Sequence, residues 1–249
     1  MKKALITGIT GQDGAYLAKF LLGKKYTVTG TFRRTSHRSL ERLEALELMD
    51  KVELIKMDLT DQISINKTIK FAQADEVYNL GAQSFVGASF DQPVLTSNVN
   101  GLGALGIFEA VKEFSNHSKV YQASSSEMFG NSDEIKNENS RMYPASPYGV
   151  SKVFAHKTAQ HYRDAYDMFI TCGILFNHES PLRGLEFVTR KITSGIAQIK
   201  TNKQKTIHLG NIKAKRDWGF AVDYVKAMWI MLQQKNHQIM SYLLVSLIQ

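Results

Sequence analysis

Two short strings in this chain carry residue types that can move protons at a useful spacing: Ser124-Ser125-Ser126-Glu127 and Tyr148-Gly149-Val150-Ser151-Lys152. A tyrosine and a lysine four residues apart share one face of a helix. The ammonium can then lower the phenol pKa and let Tyr148 exchange a proton with a hydroxyl. Of the 10 tyrosines, only Tyr148 has lysine at the fourth following position. Glu127 offers a second base, and the Ser125 hydroxyl can hydrogen-bond an oxygen of the reacting group.

These side chains need elements to aim them. Ser146-Pro147 is a helix start, an N-cap residue followed by proline at the first helical position, so Tyr148 and Lys152 fall on successive turns. Upstream, the alternation of apolar runs predicts strands over Lys3 to Thr7, Tyr26 to Phe32, Val52 to Met57, Glu76 to Leu80, Val120 to Ser124 and Met168 to Leu175. Helices are predicted over Gln12 to Gly23, Ser39 to Met49, Gln62 to Ala72, Val94 to Phe114 and Pro147 to Tyr166. That beat implies an α/β fold, a doubly wound parallel sheet.

Between the first strand and the first helix stands Gly8-Ile9-Thr10-Gly11-Gln12-Asp13-Gly14. Its glycines permit a tight turn and let backbone amides at a helix N-terminus approach a pyrophosphate, although the Gly-x-x-Gly-x-x-Gly spacing departs from the usual Gly-x-Gly-x-x-Gly fingerprint. After the second strand, where a carboxylate commonly meets a ribose, the chain has Arg33-Arg34-Thr35-Ser36. Two guanidiniums there favour a 2′-phosphate, hence NADP. With the Tyr148/Lys152 pair, these strings describe a nicotinamide enzyme that also needs a carboxylate.

Composition sets the outer bounds. The 249 residues, 43% hydrophobic and 22% charged, suffice for one large domain with a full core. The lone Cys172 excludes an intramolecular disulfide, suits a reducing cytoplasm and lies in an apolar string that reads as a buried strand. The net charge of +8 is spread along the chain with no cluster interleaved with aromatics, so no nucleic-acid partner is expected. No signal peptide and no membrane span are expected either, since the apolar runs at both ends are short. His178-Glu179 has no third ligand at matching spacing, so no metal is expected.

The strings above, together with Asp58-Leu59, Leu80-Gly81-Ala82-Gln83-Ser84, Gln122 to Glu127, Asn177-His178-Glu179-Ser180-Pro181-Leu182-Arg183-Gly184 and Arg216-Asp217-Trp218-Gly219, resemble the motifs of the extended short-chain dehydrogenase/reductases. Within that NAD-dependent epimerase/dehydratase family they are most similar to the dehydratases of GDP-linked mannose. The resemblance implies a Rossmann domain over residues 1–175 and a mixed, incomplete Rossmann and substrate-binding part over 176–238. It implies that Gly8, Ile9, Thr10, Gly11, Gln12, Asp13, Gly14, Arg33, Arg34, Thr35, Ser36, Asp58, Leu59, Leu80, Gly81, Ala82, Gln83, Ser84, Lys152, His178 and Arg183 hold NADP. Ser84, Asn177, Arg190 and Arg216 are implied contacts to GDP-mannose. Catalysis would rest on Ser125, Glu127, Tyr148 and Lys152, with Ser125 standing where the family usually has threonine.

The implied activity is a hydro-lyase reaction: oxidation at C4 of the sugar, loss of the C6 hydroxyl as water with Glu127 taking the C5 proton, and return of the hydride to C6. A homo-oligomer, dimer or tetramer, is also implied. The alternatives are a shortened chain that keeps the dinucleotide without turnover, and a sugar-nucleotide epimerase or reductase, which would not need Glu127. Residues 239–249 lose the resemblance. Read in a neighbouring frame, codons for Ile239-Met240-Ser241 give Asp-Tyr-Val and those from Leu244 onward give Gly-Glu-Ser-His-Thr, so this tail is expected to be an aberrant product of a frame slip.

Overall fold

A computed structural model describes residues 1–36, 40–131, 134–213, 216–235, 239–242 and 247–248. The chain alternates strictly at first: β1 (Lys3–Thr7), α1 (Gln12–Gly23), β2 (Thr27–Phe32), α2 (Glu41–Ala45), β3 (Glu53–Lys56), α3 (Gln62–Ala72) and β4 (Glu76–Asn79). It continues through α4 (Val86–Asp91), α5 (Pro93–Ser97), α6 (Gly103–Phe114), β5 (Lys119–Ser125), α7 (Pro147–Tyr166), β6 (Ile170–Leu175) and β7 (Asn177–Glu179). Last come α8 (Val188–Lys200), β8 (Arg216–Phe220), α9 (Ala221–Leu232), β9 (Ile239–Tyr242) and β10 (Leu247–Ile248).

Seven strands form one sheet in the order β3-β2-β1-β4-β5-β6-β9, with each neighbouring pair parallel. Both faces of such a sheet must be covered, and the strand sequences divide accordingly. On β1, Ala4 and Ile6 join Leu17 and Leu21 of α1, Leu43 of α2 and Val225 and Met228 of α9. Leu5, facing the other way, joins Ile65 and Ile69 of α3, Ile107, Phe108 and Val111 of α6, and Ala155 and Ala159 of α7. The chain crosses from one side of β1 to the other between β3 and β4, and in a doubly wound sheet the ligand crevice opens at that switch, outside the carboxyl ends of the strands.

Most predicted elements appear within two residues of their expected ends, and the exceptions have local causes. The helix expected over Ser39 to Met49 lies partly outside the described residues and is confined to Glu41–Ala45, because Glu47 takes a left-handed φ of 56° that no helix continues. The helix expected over Val94 to Phe114 is continuous but not regular: α5 passes through a π-helical turn at Asn98–Leu102 into α6. The whole stretch Pro93–Phe114 has the length and apolarity of a membrane span, yet 61% of its most apolar window is buried inside the protein. It reads as a core helix, with Ile107, Phe108 and Val111 fully covered.

The described elements between Asn177 and Leu232 contribute to both sheets. β7 and β8 pair in parallel as a small second sheet, while α9 returns to cover the main one against α1. The tail residues set aside as aberrant also supply backbone: β9 pairs with β6 from Cys172↔Ile239 to Leu175↔Tyr242, and β10 pairs antiparallel with β8.

Candidate active site

The glycine string forms the turn from β1 into α1. Gly8 has φ +68°, and a Cβ there would lie 2.8 Å from the Cα of Gly81. A Cβ on Gly14 would lie 2.5 Å from the Gly8 carbonyl. The glycines are therefore required where the loop touches the 80–84 segment and where α1 packs back on the loop. Gly11 caps α1 without a side-chain bond, which leaves first-turn amides of the helix available to an anion. Ile9 is buried, packed beneath Gly30 of β2.

Around this cradle the implied cofactor residues gather at the carboxyl ends of the strands. Arg33, Arg34, Thr35 and Ser36 follow β2 and are exposed. Asp58 follows β3, its Oδ1 accepting from the amide (2.9 Å) and hydroxyl (2.8 Å) of Thr60, and Leu59 packs against both Gly81 and Gly103. After β4, Leu80 leads into Gly81, whose amide donates to Thr7 Oγ1 at 2.9 Å, and then to half-buried Ala82 and exposed Ser84. Gln83 turns inward to hold its own loop: its Oε1 accepts from the Phe85 amide at 2.6 Å and its Nε2 donates to the Phe85 carbonyl at 3.1 Å.

The residues expected to handle protons meet where β5 ends and α7 begins. Ser146 caps α7, accepting from the Gly149 amide at 3.0 Å, so Tyr148 and Lys152 sit on successive turns and are both buried. The Ser125 hydroxyl closes a 3-10 turn over Ser126–Phe129 by accepting from the Glu127 amide at 3.2 Å. A Cβ on Gly149 would lie 2.6 Å from the Glu127 carbonyl, so the two segments are in direct contact and half-buried Glu127 stands beside Tyr148.

Tyr148 and Lys152 share the helix face, and burial dominates the proton affinity of both. Burial pushes the phenol up to about 12; a hydrogen bond with Ser125 and the charge of Arg183 pull it down, and the charges of Glu127 and Asp13 push it up. The Lys152 Nζ lies 5.8 Å from the centre of the Tyr148 ring and donates instead to the Ala123 carbonyl at 2.9 Å. Burial drives its own pKa down to about 8. Burial of both groups outweighs the attraction between the ammonium and a phenolate here.

His178 and Asp13, both implied cofactor contacts, are primarily partners of each other. The His178 Nδ1–H donates to the Phe176 carbonyl at 2.7 Å, its Nε2 meets Asp13 Oδ2 at 2.7 Å, and its ring stacks on Tyr224 at 4.3 Å. Gln12 strengthens the tie by donating to Asp13 Oδ1 (3.1 Å) and the His178 carbonyl (3.2 Å) and accepting from Ser180 Oγ (2.8 Å). Arg183 lies 3.5 Å over the Phe187 ring and 3.3 Å from Glu179. Of the implied substrate contacts, Asn177 and Arg216 are on the paired strands β7 and β8, whereas Arg190 is exposed on α8, outside that sheet. No group of three or more His, Cys, Asp or Glu suited to a metal ion occurs among the described residues.

Five further side chains tie these segments together, and four of them, Thr7, Asn79, Asn100 and Arg42, carry no signal in the sequence. Thr7 Oγ1 donates to Asn79 Oδ1 (2.7 Å), Asn79 Nδ2 to Gln122 Oε1 (2.8 Å), and Gln122 Nε2 to the Ala123 carbonyl (3.1 Å), the same oxygen that Lys152 holds. Asn100, in the π-helical turn, accepts from the Gln83 amide at 2.8 Å and donates to Ser151 Oγ at 3.1 Å, fastening the 80–84 loop to α7. Arg42 of α2 donates from Nη1 to the Thr10 carbonyl (3.1 Å) and from Nε to the Leu182 carbonyl (2.7 Å). A polar residue at a strand end or on a short helix looks like solvated surface until its distant partner is known.

Among solved structures, the chain resembles a UDP-N-acetylglucosamine 4-epimerase from Methanobrevibacter ruminantium M1 in complex with UDP-N-acetylmuramic acid, with a TM-score of 0.86 and 23% identity over 99% of this chain and 78% of that one. It also resembles a dTDP-glucose 4,6-dehydratase from Bacillus anthracis in complex with NAD, with a TM-score of 0.84 and 19% identity over 97% and 75%. At such identities these matches establish the fold. In sequence the chain is 50% identical over 245 residues to GDP-mannose 4,6 dehydratase 2 of Arabidopsis thaliana, covering 94% of this chain and 66% of the relative. It is 48% identical over 239 residues to the Homo sapiens GDP-mannose 4,6 dehydratase, covering 92% and 64%. The chain thus spans about two thirds of the length of the curated relatives it matches. The family model described as GDP-mannose 4,6 dehydratase matches residues 5–244, and with it the chain belongs to the GDP-mannose 4,6-dehydratase family.

Proposed function

We propose that this chain is a GDP-mannose 4,6-dehydratase, a hydro-lyase that converts GDP-mannose to GDP-4-dehydro-6-deoxymannose with tightly held NADP. One observation carries the reading: half-buried Glu127 stands on the turn that Ser125 caps, its main-chain carbonyl against Gly149 in the first turn of the helix that bears Tyr148 and Lys152. A nucleotide-sugar epimerase needs a base for the C4 hydroxyl but has no use for one at C5.

The residues fit the dinucleotide. The glycine turn that no Cβ would tolerate and the open amides at the start of α1 suit a pyrophosphate, and exposed Arg33 and Arg34 suit a 2′-phosphate, which favours NADP over NAD. NADP, when bound, supplies a reversible hydride acceptor. Tyr148 takes and returns the proton of the mannose 4-hydroxyl, and Ser125, bonded to it, orients the 4-oxygen. A ketone at C4 acidifies the C5 hydrogen, which Glu127 removes before passing a proton to the departing C6 hydroxyl. Lys152, at a pKa of about 8, is within reach of changing its charge during turnover. Asn177 and Arg216 on the second sheet, with Ser84 and Arg190, are the groups offered to the sugar nucleotide.

The direct test is to incubate the 249-residue chain with NADP+ and GDP-mannose and follow the sugar nucleotide by mass. Loss of one water establishes the dehydratase. A 4-keto product that keeps its C6 hydroxyl marks the epimerase or reductase class. An unchanged mass with NADP retained marks a chain that binds the cofactor without turnover, a reading favoured by the two-thirds coverage of its relatives. We also place the protein in the cytoplasm, in keeping with its single buried Cys172. A homo-oligomer would cover the exposed Leu102, Val150 and Phe154.

A further inference from the structure

The Arg42 guanidinium makes two hydrogen bonds to two segments remote from each other in sequence. Its Nη1 donates to the carbonyl of Thr10 in the glycine loop, and its Nε to the carbonyl of Leu182 in the loop that follows β7. A planar fork with fixed donor directions can hold two carbonyls at a set spacing; a flexible ammonium cannot. The same two segments are joined a second time by Gln12, whose amide bonds His178 and Ser180, and by Asp13, which pairs with His178. Leu182 immediately precedes Arg183, whose guanidinium lies between Phe187 and Glu179.

We propose that Arg42 is a positioning residue that clamps the glycine loop to the 180–184 loop, so that a dinucleotide resting on the first is met by Arg183 on the second at one fixed setting. The ligand in this statement rests on the proposed dinucleotide site; the clamp itself does not. Two donors of Arg42 are committed to backbone carbonyls, whereas Arg33 and Arg34 lie exposed at the end of β2. Arg42 therefore acts on whichever dinucleotide is bound, and the other two on the 2′-phosphate alone.

The test combines backbone amide exchange of the nucleotide-free protein with dissociation constants for NADP and NAD, measured on the wild type, Arg42→Ala, Arg42→Lys and Arg33→Ala. In Arg42→Ala, exchange accelerates together in segments 8–14 and 180–184, and both nucleotides weaken by the same factor, about tenfold for the loss of two hydrogen bonds. Arg42→Lys keeps the charge yet restores neither readout, and Arg33→Ala weakens NADP while leaving NAD unchanged. The clamp is overturned by faster exchange confined to one segment, by Arg42→Ala weakening NADP alone, or by recovery of NADP binding in Arg42→Lys, each of which would make Arg42 a plain contact. Wild-type protein that binds neither nucleotide would overturn the dinucleotide reading, while paired exchange in the two segments would still decide the clamp.

Discussion

The Asp13 carboxylate and the His178 imidazole meet at 2.7 Å across 165 residues of sequence. The opposite ring nitrogen donates to the Phe176 carbonyl, so both nitrogens face acceptors, an arrangement that favours the imidazolium. Burial alone would lower the His178 pKa and raise that of Asp13. Their mutual charge and hydrogen bond reverse both, leaving His178 above its ordinary 6.5 and Asp13 below its ordinary 3.8. The pair thus joins the first helix of the main sheet to the first strand of the second sheet.

A definite pH dependence of stability follows. The share of His178 is fully present below 6.5 and is lost as pH rises through its elevated pKa, because the folded state then gives up a proton it had held more tightly than the unfolded chain. The share of Asp13 is fully present above 3.8 and is lost as pH falls through its depressed pKa. Both shares are whole only between those two values. Asp13→Asn is expected to cost about 3–5 kcal/mol within that window, since it leaves a buried imidazolium without its counter-charge. Urea unfolding midpoints of wild type and variant, measured from pH 4 to pH 9 at about one-unit steps, should converge at the alkaline end; a constant difference would sink the pairing.

Lys152 gives the opposite slope. Its pKa of about 8 lies below the ordinary 10.5, so the folded state sheds its proton first. Stability from this group rises between those values as pH increases, and the cost of burying the ammonium is borne in full below the lower one. Lys152→Met removes that cost while Gln122 still satisfies the Ala123 carbonyl. The variant should be more stable at neutral pH by about 1–3 kcal/mol and devoid of dehydration. Equal or lower stability would show that the ammonium is better compensated than the Ala123 bond indicates.

Glu127→Gln separates binding from chemistry. The amide occupies nearly the same volume on the Ser125-capped turn but cannot take the C5 proton. NADP binding should stay within about twofold of wild type and water loss should fall by about a hundredfold or more. Near-normal dehydration would remove Glu127 from the mechanism.

At the far end of the sheet, Glu76 is 1% exposed and accepts from Lys2 Nζ (3.0 Å), Tyr26 OH (3.0 Å), Gln233 Nε2 (3.1 Å) and Tyr78 OH (2.7 Å). Trp229 extends the network by donating to Tyr26 OH at 3.0 Å. This cluster ties α9 to the amino ends of β1 and β4, remote from the crevice. Glu76→Gln should lower stability by about 2–5 kcal/mol, because two good acceptors become one and a donor is buried among donors. The turnover number should not change. A loss of kcat without a loss of stability would contradict the structural role.

How far the sequence could be read depended on how local the cause was. The apolar runs Lys3 to Thr7 and Met168 to Leu175, the Ser146-Pro147 start of α7 and the glycine turn before α1 depend on neighbours a few residues away, and each sits within two residues of where the residues alone placed it. Tyr148, Lys152, Ser125 and Glu127 were legible for the same reason: a helix repeat and a capped turn bring them to one spot. The π-helical turn at Asn98–Leu102 was not legible, because the apolar pattern continues through it and its partners Gln83 and Ser151 lie in other elements.

By itself, the sequence determined the order of strands and helices, the glycine turn and the placement of Ser125, Glu127, Tyr148 and Lys152 near one another, since these follow from periodicity, capping and steric limits within short windows of chain. Only the tertiary structure decided that Lys152 turns to a strand carbonyl, that His178 is matched to Asp13, and that Arg42 spans two loops. Those outcomes depend on how much water each group loses and on which partner, more than a hundred residues away in the latter two cases, the packed sheet brings within hydrogen-bond distance.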